Sequence, residues 1–368
     1  MNLYTALIRP WMFRFDPETA HFVTVETCRI AGLIPLVPQL TRVCFEYSAP
    51  ELESEVAGLR FANPIGLAAG WDKNGRALRM LDHLGFGFAE IGSISARPSV
   101  GNPKPRLFRL PQDRSIVVNY GLPNDGAEVV AQRLASHRSR APLGVNIVKT
   151  NDGSDAPACS NEDILVDYVR SVELMHSHAN YLTLNLSCPN AKGGQDYFAF
   201  PGSISHLLER LMSHNIDCPI FLKVTPNPDP AALERLIAEA EPFKFVRGFI
   251  FNLPPGKPAT LHFETPQTNW NRMPGAVAGK PVERLINTCI RELYCRMPRG
   301  RFSIIGAGGV FNAEDAYQKI LIGASLVQIY TALIYEGPSV VKRINRGLSA
   351  LLKRDGYNHV SEAVGQGI

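Results

Sequence analysis

Eight short apolar runs separated by helix-like segments constrain this chain more than any other feature. They occupy residues 65–69, 88–92, 143–148, 181–186, 219–224, 248–252, 303–306 and 325–330. Several are nearly continuous in hydrophobic residues, the pattern of parallel strands buried on both faces. The segments between them are long enough for crossover helices. Eight such units predict an α/β fold of the (β/α)8 TIM-barrel type. A doubly wound open sheet is the competing arrangement, and the absence of a G-x-G-x-x-G after the first run counts against it.

The first fifty residues read differently. Residues 3–13 carry apolar positions at helical spacing: Leu3, Leu7, Ile8, Trp11 and Met12. Asp16-Pro17-Glu18 opens a second helix with a capping acid, a first-turn proline and an acid near the positive end. That helix is expected to stop at Gly32, with a linker through Pro35 and Pro38. The expected division is an N-terminal helical extension, 1–50, and a barrel, 51–368. The extension is either a cap packed on the barrel or a membrane-surface or tunnel-forming appendage. Four arginines and four acids in residues 1–50 cancel, so lipid contact would rest on apolar faces near Leu7, Trp11, Phe22 and Ile34. No secretory signal is evident, and no uncharged run reaches the ~20 residues of a membrane span.

Composition narrows the function. With 38 Lys+Arg against 34 Asp+Glu, the net +4 is too weak to point to nucleic acid. Hydrophobic residues, at 45%, suffice to fill a core. The seven cysteines show no C-x-x-C spacing, which disfavours zinc or a redox dithiol and leaves reduced thiols as the expectation. No metal site is expected.

Polar residues and glycines gather just after the apolar runs, where barrel enzymes build their sites. Gly308-Gly309, before a helical segment, suits a phosphate grip, with Tyr330-Thr331 adding donors. Lys73 and Lys223 follow strands, where a buried ammonium needs an anionic partner; a flavin edge is one, and for Lys73 an ion pair with Asp72 is another. Asn119, Asn146, Asn185, Asn190 and Asn252 offer amides suited to a planar heterocycle. Cys188, beside Pro189 past the fourth run, is a candidate base, since a thiol of pKa ~8.5 needs modest tuning.

Together these segments resemble the dihydroorotate dehydrogenases, FMN enzymes of pyrimidine biosynthesis. The matching motifs are NPIGLAAGWDKNG (63–75), GFGFAEIGS (85–93), GNPKPRLFR (101–109), NLSCPN (185–190), IIGAGG (304–309) and GASLVQIY (323–330). DPETAH (16–21) resembles the extension of the membrane-associated, quinone-using class, whose helices shape a quinone tunnel. The resemblance implies FMN held by Ala69, Gly70, Ser93, Asn146, Asn185, Lys223, Gly279, Gly308, Gly309, Tyr330 and Thr331. It implies dihydroorotate held by Lys73, Asn119, Asn185, Asn190 and Asn252, with Cys188 as base, hydride passing to the flavin, and electrons passing on to quinone. No mitochondrial transit peptide is evident, so a bacterial protein on the cytoplasmic side is expected, with residues 1–40 as the segment for any peripheral membrane contact. The chain departs from that class in five places. Cys188 replaces its usual Ser, Gly121 comes one place early, Leu253 follows Asn252 where Thr or Ser is usual, Ala278 replaces a common Ser, and residues 191–195 differ. The departures surround the substrate position, so the alternatives are a paralogue acting on another small cyclic or amide substrate and a non-catalytic flavin-binding module.

Overall fold

A computed structural model describes residues 2–153, 156–157, 159–187 and 194–368, with the side chains of 194 and 195 left aside. The strands in chain order begin with β1 (Ser54–Val56), β2 (Leu59–Phe61), β3 (Ile65–Leu67), β4 (Phe88–Ile94), β5 (Leu107–Leu110) and β6 (Ser115–Val118). They continue with β7 (Leu143–Ile147), β8 (Tyr181–Asn185), β9 (Ile220–Val224), β10 (Val246–Phe251), β11 (Ala276–Gly279), β12 (Ser303–Gly306) and β13 (Leu326–Ile329). Strands β3, β4, β7, β8, β9, β10, β12 and β13 pair in that order into a closed barrel, β13 returning to β3. All its pairings are parallel, so each of the eight apolar runs is a barrel strand.

The barrel interior explains why those runs contain both glycines and large rings. Phe88, Tyr181 and Phe221 stack edge-on across the lower barrel, with centroids 6.4 and 5.5 Å apart. Burying each ring contributes about 2 kcal/mol. Gly144 on β7 makes room for Tyr181: a Cβ there would lie 2.1 Å from the tyrosine ring. The β1–β2 hairpin closes this end, placing Val56 and Phe61 in the same apolar cluster.

Two features lie outside the βα period and outside the sequence reading. One is the hairpin; the other is a separate antiparallel sheet of β5, β6 and β11. Its strands are four residues long, too short for alternation to stand out.

The first residues form a short π turn, Tyr4–Ile8, followed by helices α1 (Arg9–Met12), α2 (Pro17–Ala31) and α3 (Val37–Phe45). Asp16 caps α2 by accepting from Thr19 N at 2.9 Å. Gly32 ends α2 as expected, though with a right-handed φ of −65°. The expected linker at Pro35 and Pro38 is corrected: Pro38 sits in the first turn of α3, where its missing N–H leaves no bond unmade. In α2 only Ala20 is buried. Phe13, Val25, Cys28 and Phe45 pack against the main core, and polar links add to them: Arg9 Nη1 donates to Tyr335 O at 3.0 Å, Lys342 Nζ to Cys44 O at 2.9 Å, and Arg76 pairs with Glu26 at 3.0 Å. No helix of the described residues is long and apolar enough to cross a membrane.

Candidate active site

The C-terminal ends of the barrel strands open into a cavity with about 1230 Å³ of empty space, part of it open to solvent. Ala69, Gly70, Lys73, Ser93, Asn185, Lys223, Asn252, Gly279, Gly308, Gly309, Tyr330 and Thr331 all line it. These residues come from separate strand ends and from β11, so the closed barrel is what brings them together.

A chain of amides crosses the mouth. Asn252 Nδ2 donates to Asn185 Oδ1 at 2.9 Å, Asn185 Nδ2 to Ser93 Oγ at 3.3 Å, and Ser93 Oγ to Asn146 Oδ1. Asn146 is fully buried behind Ser93 and donates to Glu90 Oε1 at 2.8 Å. It therefore acts from below the cavity lining. Each amide is orientated by the next, which fixes which atom faces inward.

The substrate-side expectations divide. Cys188 and Asn190 lie outside the described residues, as does most of the 191–195 loop. Asn119 is not among the residues lining this cavity, and its Oδ1 accepts from Asn102 Nδ2 at 3.1 Å. Its neighbour Tyr120 takes the cavity position instead. Alternation along an extended segment sends consecutive side chains to opposite faces, so a one-residue shift exchanges them.

Tyr120 belongs to a cluster that the sequence reading did not assemble. Lys73 Nζ lies 4.1 Å from the Tyr120 ring centroid, a cation–π contact, and donates to Gly70 O at 3.0 Å. His21 of α2 reaches the same point. Its Nε2 lies 2.7 Å from Trp71 O and therefore carries the proton. Nδ1 is then an acceptor, 3.2 Å from Tyr120 Oη and 3.3 Å from Lys73 Nζ. Burial, followed by the adjacent Lys73 charge, pushes His21 down to about 3, so it stays neutral. Burial pushes Lys73 down to about 7 against the opposing pull of Glu18 and Asp72. The alternative for Lys73, an ion pair with Asp72, is not formed: the Asp72 carboxylate accepts from the backbone N–H groups of Asn74, Arg76 and Ala77.

Below the mouth stands a residue with no sequence assignment, Glu90 of β4, fully buried with Lys223 Nζ 4.0 Å from its Oε1. The available signal was a lone acid inside an apolar strand run.

The cavity suits a phosphate-bearing, ring-shaped cofactor. Gln328 lines it, and its Oε1 has no hydrogen-bond partner among the described residues. Gly309, before the helix Ala313–Leu321, has φ +79°, and a Cβ there would meet Glu283 Cβ at 2.3 Å. Only glycine leaves that turn's backbone unobstructed. Gly309→Ala is expected to cost ~2 kcal/mol through left-handed strain and overpacking, read as a lower melting temperature with weakened cofactor retention.

A second cavity lies between α2 and the barrel, lined by Phe13, Ala20, His21, Leu107, Arg109 and Leu333 among others. Ile116 and Tyr330 line both cavities, so the two lie back to back.

Comparison with known proteins agrees with this architecture. Residues 51–352 match the family model described as dihydroorotate dehydrogenase. A Sphingopyxis alaskensis protein named dihydroorotate dehydrogenase (quinone) is 36% identical over 98% of this chain and 96% of its own length. A relative of the same name from Roseiflexus sp. (strain RS-1) is 38% identical over 99% of this chain and 98% of its own. The crystal structure of Eimeria tenella DHODH in complex with ferulenol superposes with a TM-score of 0.81 at 30% identity, covering 95% of each chain. The chain belongs to the dihydroorotate dehydrogenase family of flavin-dependent oxidoreductases.

Proposed function

We propose that this protein oxidises dihydroorotate to orotate at FMN and passes the electrons to a quinone. The observation that carries this reading is the amide chain Asn252–Asn185–Ser93–Asn146, flanked by Lys73 and Lys223 in a single cavity. FMN, when bound, supplies a two-electron acceptor that takes a hydride from the substrate and is reoxidised by quinone.

This chain's residues do the rest. The turn at Gly308-Gly309 and the donors at Tyr330-Thr331 grip the phosphate. Lys223, which lines the cavity, would neutralise the flavin edge that gains negative charge on reduction. Lys73 meets the substrate carboxylate, an anion that favours its charged form, while Asn185, Asn190 and Asn252 hold the ring amides. Cys188 takes the proton from the carbon next to the one that loses the hydride, so a CH–CH bond gives up both hydrogens. The second cavity receives the quinone ring, since Tyr330 lines both spaces.

The extension has a lipid-facing role in this reading. Leu7, Trp11, Phe22, Leu33, Leu36 and Leu40 are all exposed. Exposed apolar side chains on a charge-neutral segment favour shallow insertion over electrostatic adsorption. The intact chain is expected to float with liposomes of neutral lipid, and a chain lacking residues 1–40 to stay behind; an intact chain that does not float removes this role.

A second reading, a related oxidoreductase with a different small cyclic amide substrate, draws on Asn119 being engaged by Asn102 and on Leu253 lining the cavity. One experiment separates the two. Anaerobic addition of dihydroorotate to the purified yellow protein is expected to bleach its flavin absorbance. Bound flavin that stays oxidised under excess dihydroorotate sinks the first reading in favour of the second.

A further inference from the structure

Glu90 is the one carboxylate among the described residues that is fully buried within the barrel strands. Its neighbours are donors from three other strands. Oε1 accepts from Asn146 Nδ2 on β7 at 2.8 Å. Oε2 accepts from Gln328 Nε2 on β13 at 2.8 Å, and from Thr183 Oγ1 and Tyr181 Oη on β8 at 3.1 and 3.2 Å. Lys223 Nζ on β9 stands 4.0 Å from Oε1. Four donors thus converge on the two oxygens of one carboxylate and fix its orientation. Burial and then the Glu90 charge push the Tyr181 hydroxyl far above its usual range, which keeps it a donor.

Three of these partners connect to the cavity. Asn146 Oδ1 accepts from Ser93 Oγ, a lining group. Gln328 and Lys223 line the cavity themselves. A single carboxylate thus orients two amides and places a negative charge behind the lysine that faces the cofactor site. The four-donor shell and the lysine offset much of the cost of burying that charge.

We propose that Glu90 is a positioning residue for the flavin: it aligns Asn146 and Gln328, partly offsets the Lys223 charge, and so holds the reduction potential of the bound flavin down. The inference rests on the FMN reading above. A flavin gains negative charge on reduction, and nearby protein charge tunes that equilibrium. Lys223 favours the reduced form, and a fixed anion behind Lys223 weakens that preference. The result is a reduced flavin that gives up its electrons more readily to a quinone.

The test is a spectroelectrochemical titration of the flavin-loaded protein, its Glu90→Gln variant and its Glu90→Asp variant. Glu90→Gln keeps the shape and removes the charge. It is expected to raise the midpoint potential by a ~tenfold shift toward the reduced form, which is about 30 mV for a two-electron couple. Glu90→Asp keeps the charge but withdraws it from Lys223, and is expected to shift the potential in the same direction by less. Equal midpoint potentials in the three proteins, with intact flavin spectra, overturn the proposal. A merely structural role for Glu90 gives that result together with a lower melting temperature and weaker flavin retention. A wild-type protein that retains no flavin overturns the FMN reading instead, so the two failures are distinguishable.

Discussion

Cys188→Ala is expected to slow flavin bleaching by dihydroorotate ~10²–10⁴-fold, the range for losing a positioned general base, with the flavin still bound. The chain leading into Cys188 is pinned at the barrel mouth. Asn252 Nδ2 donates to Ser187 O and Oγ, each at 3.3 Å, and Ser187 Oγ donates to Lys223 O at 3.2 Å. The proposed base would work as its thiolate, so the wild-type bleaching rate is expected to rise with pH through the thiol range near ~8.5. In the Ala variant that rise disappears. Reoxidation by quinone involves no substrate proton, so its rate is expected to be unchanged in the variant. That contrast separates a lost base from a distorted site. Bleaching of the Ala variant at the wild-type rate removes Cys188 from the base role.

Glu18→Ala is expected to damage the substrate side of the cavity from outside it. Glu18 of α2 accepts from Arg106 Nη2 at 2.8 Å and from Nε at 3.2 Å. The same guanidinium donates through Nη1 to Val100 O at 2.7 Å, Asn102 O at 2.9 Å and Tyr120 O at 3.4 Å. Arg106 thereby ties the extension to the segment presenting Tyr120 to Lys73. The Arg106 and Glu18 side chains are only 10% and 17% exposed, so removing the acid leaves a largely buried charge without its partner. Breaking such a pair costs ~3 kcal/mol, or roughly 4 °C in melting temperature for a chain of this size. KM for dihydroorotate is expected to rise more than kcat falls, because Tyr120 and Lys73 lose their fixed relation while the flavin site keeps its own contacts. Glu18→Gln, which retains an acceptor, is expected to lie between. A Glu18→Ala variant with wild-type melting temperature and KM contradicts this account.

Much of the barrel was readable from local pattern. A strand buried on both faces is mostly apolar, and each of the eight runs falls within a few residues of a barrel strand. Asp16-Pro17 likewise declared the start of α2 through interactions spanning three residues. Pro38 misled because proline reads equally well as a linker and as the first turn of a helix. The hairpin β1–β2 and the sheet β5–β6–β11 escaped because strands of three or four residues carry too little alternation to be seen.

The site was readable as a list of groups but not as an arrangement. Lysines, amides and glycines at strand ends are conspicuous because unpaired polar groups seldom end apolar runs without a use. Which of two adjacent residues faces the cavity is another matter. Asn119 stands out in the sequence, whereas its neighbour Tyr120 is the one that lines the cavity.

The sequence by itself determined the order of the strands, the opening of α2 and the gathering of polar groups at one end of the barrel. Those features follow from periodicity and backbone preference, which act over a few neighbouring residues. The tertiary structure alone decided that His21 meets Lys73, that Glu18 meets Arg106, and that Glu90 meets Gln328. These pairs are 52, 88 and 238 residues apart. Closing the barrel and docking the extension bring them within hydrogen-bonding distance, and no local rule specifies which charge will find which partner once water is excluded.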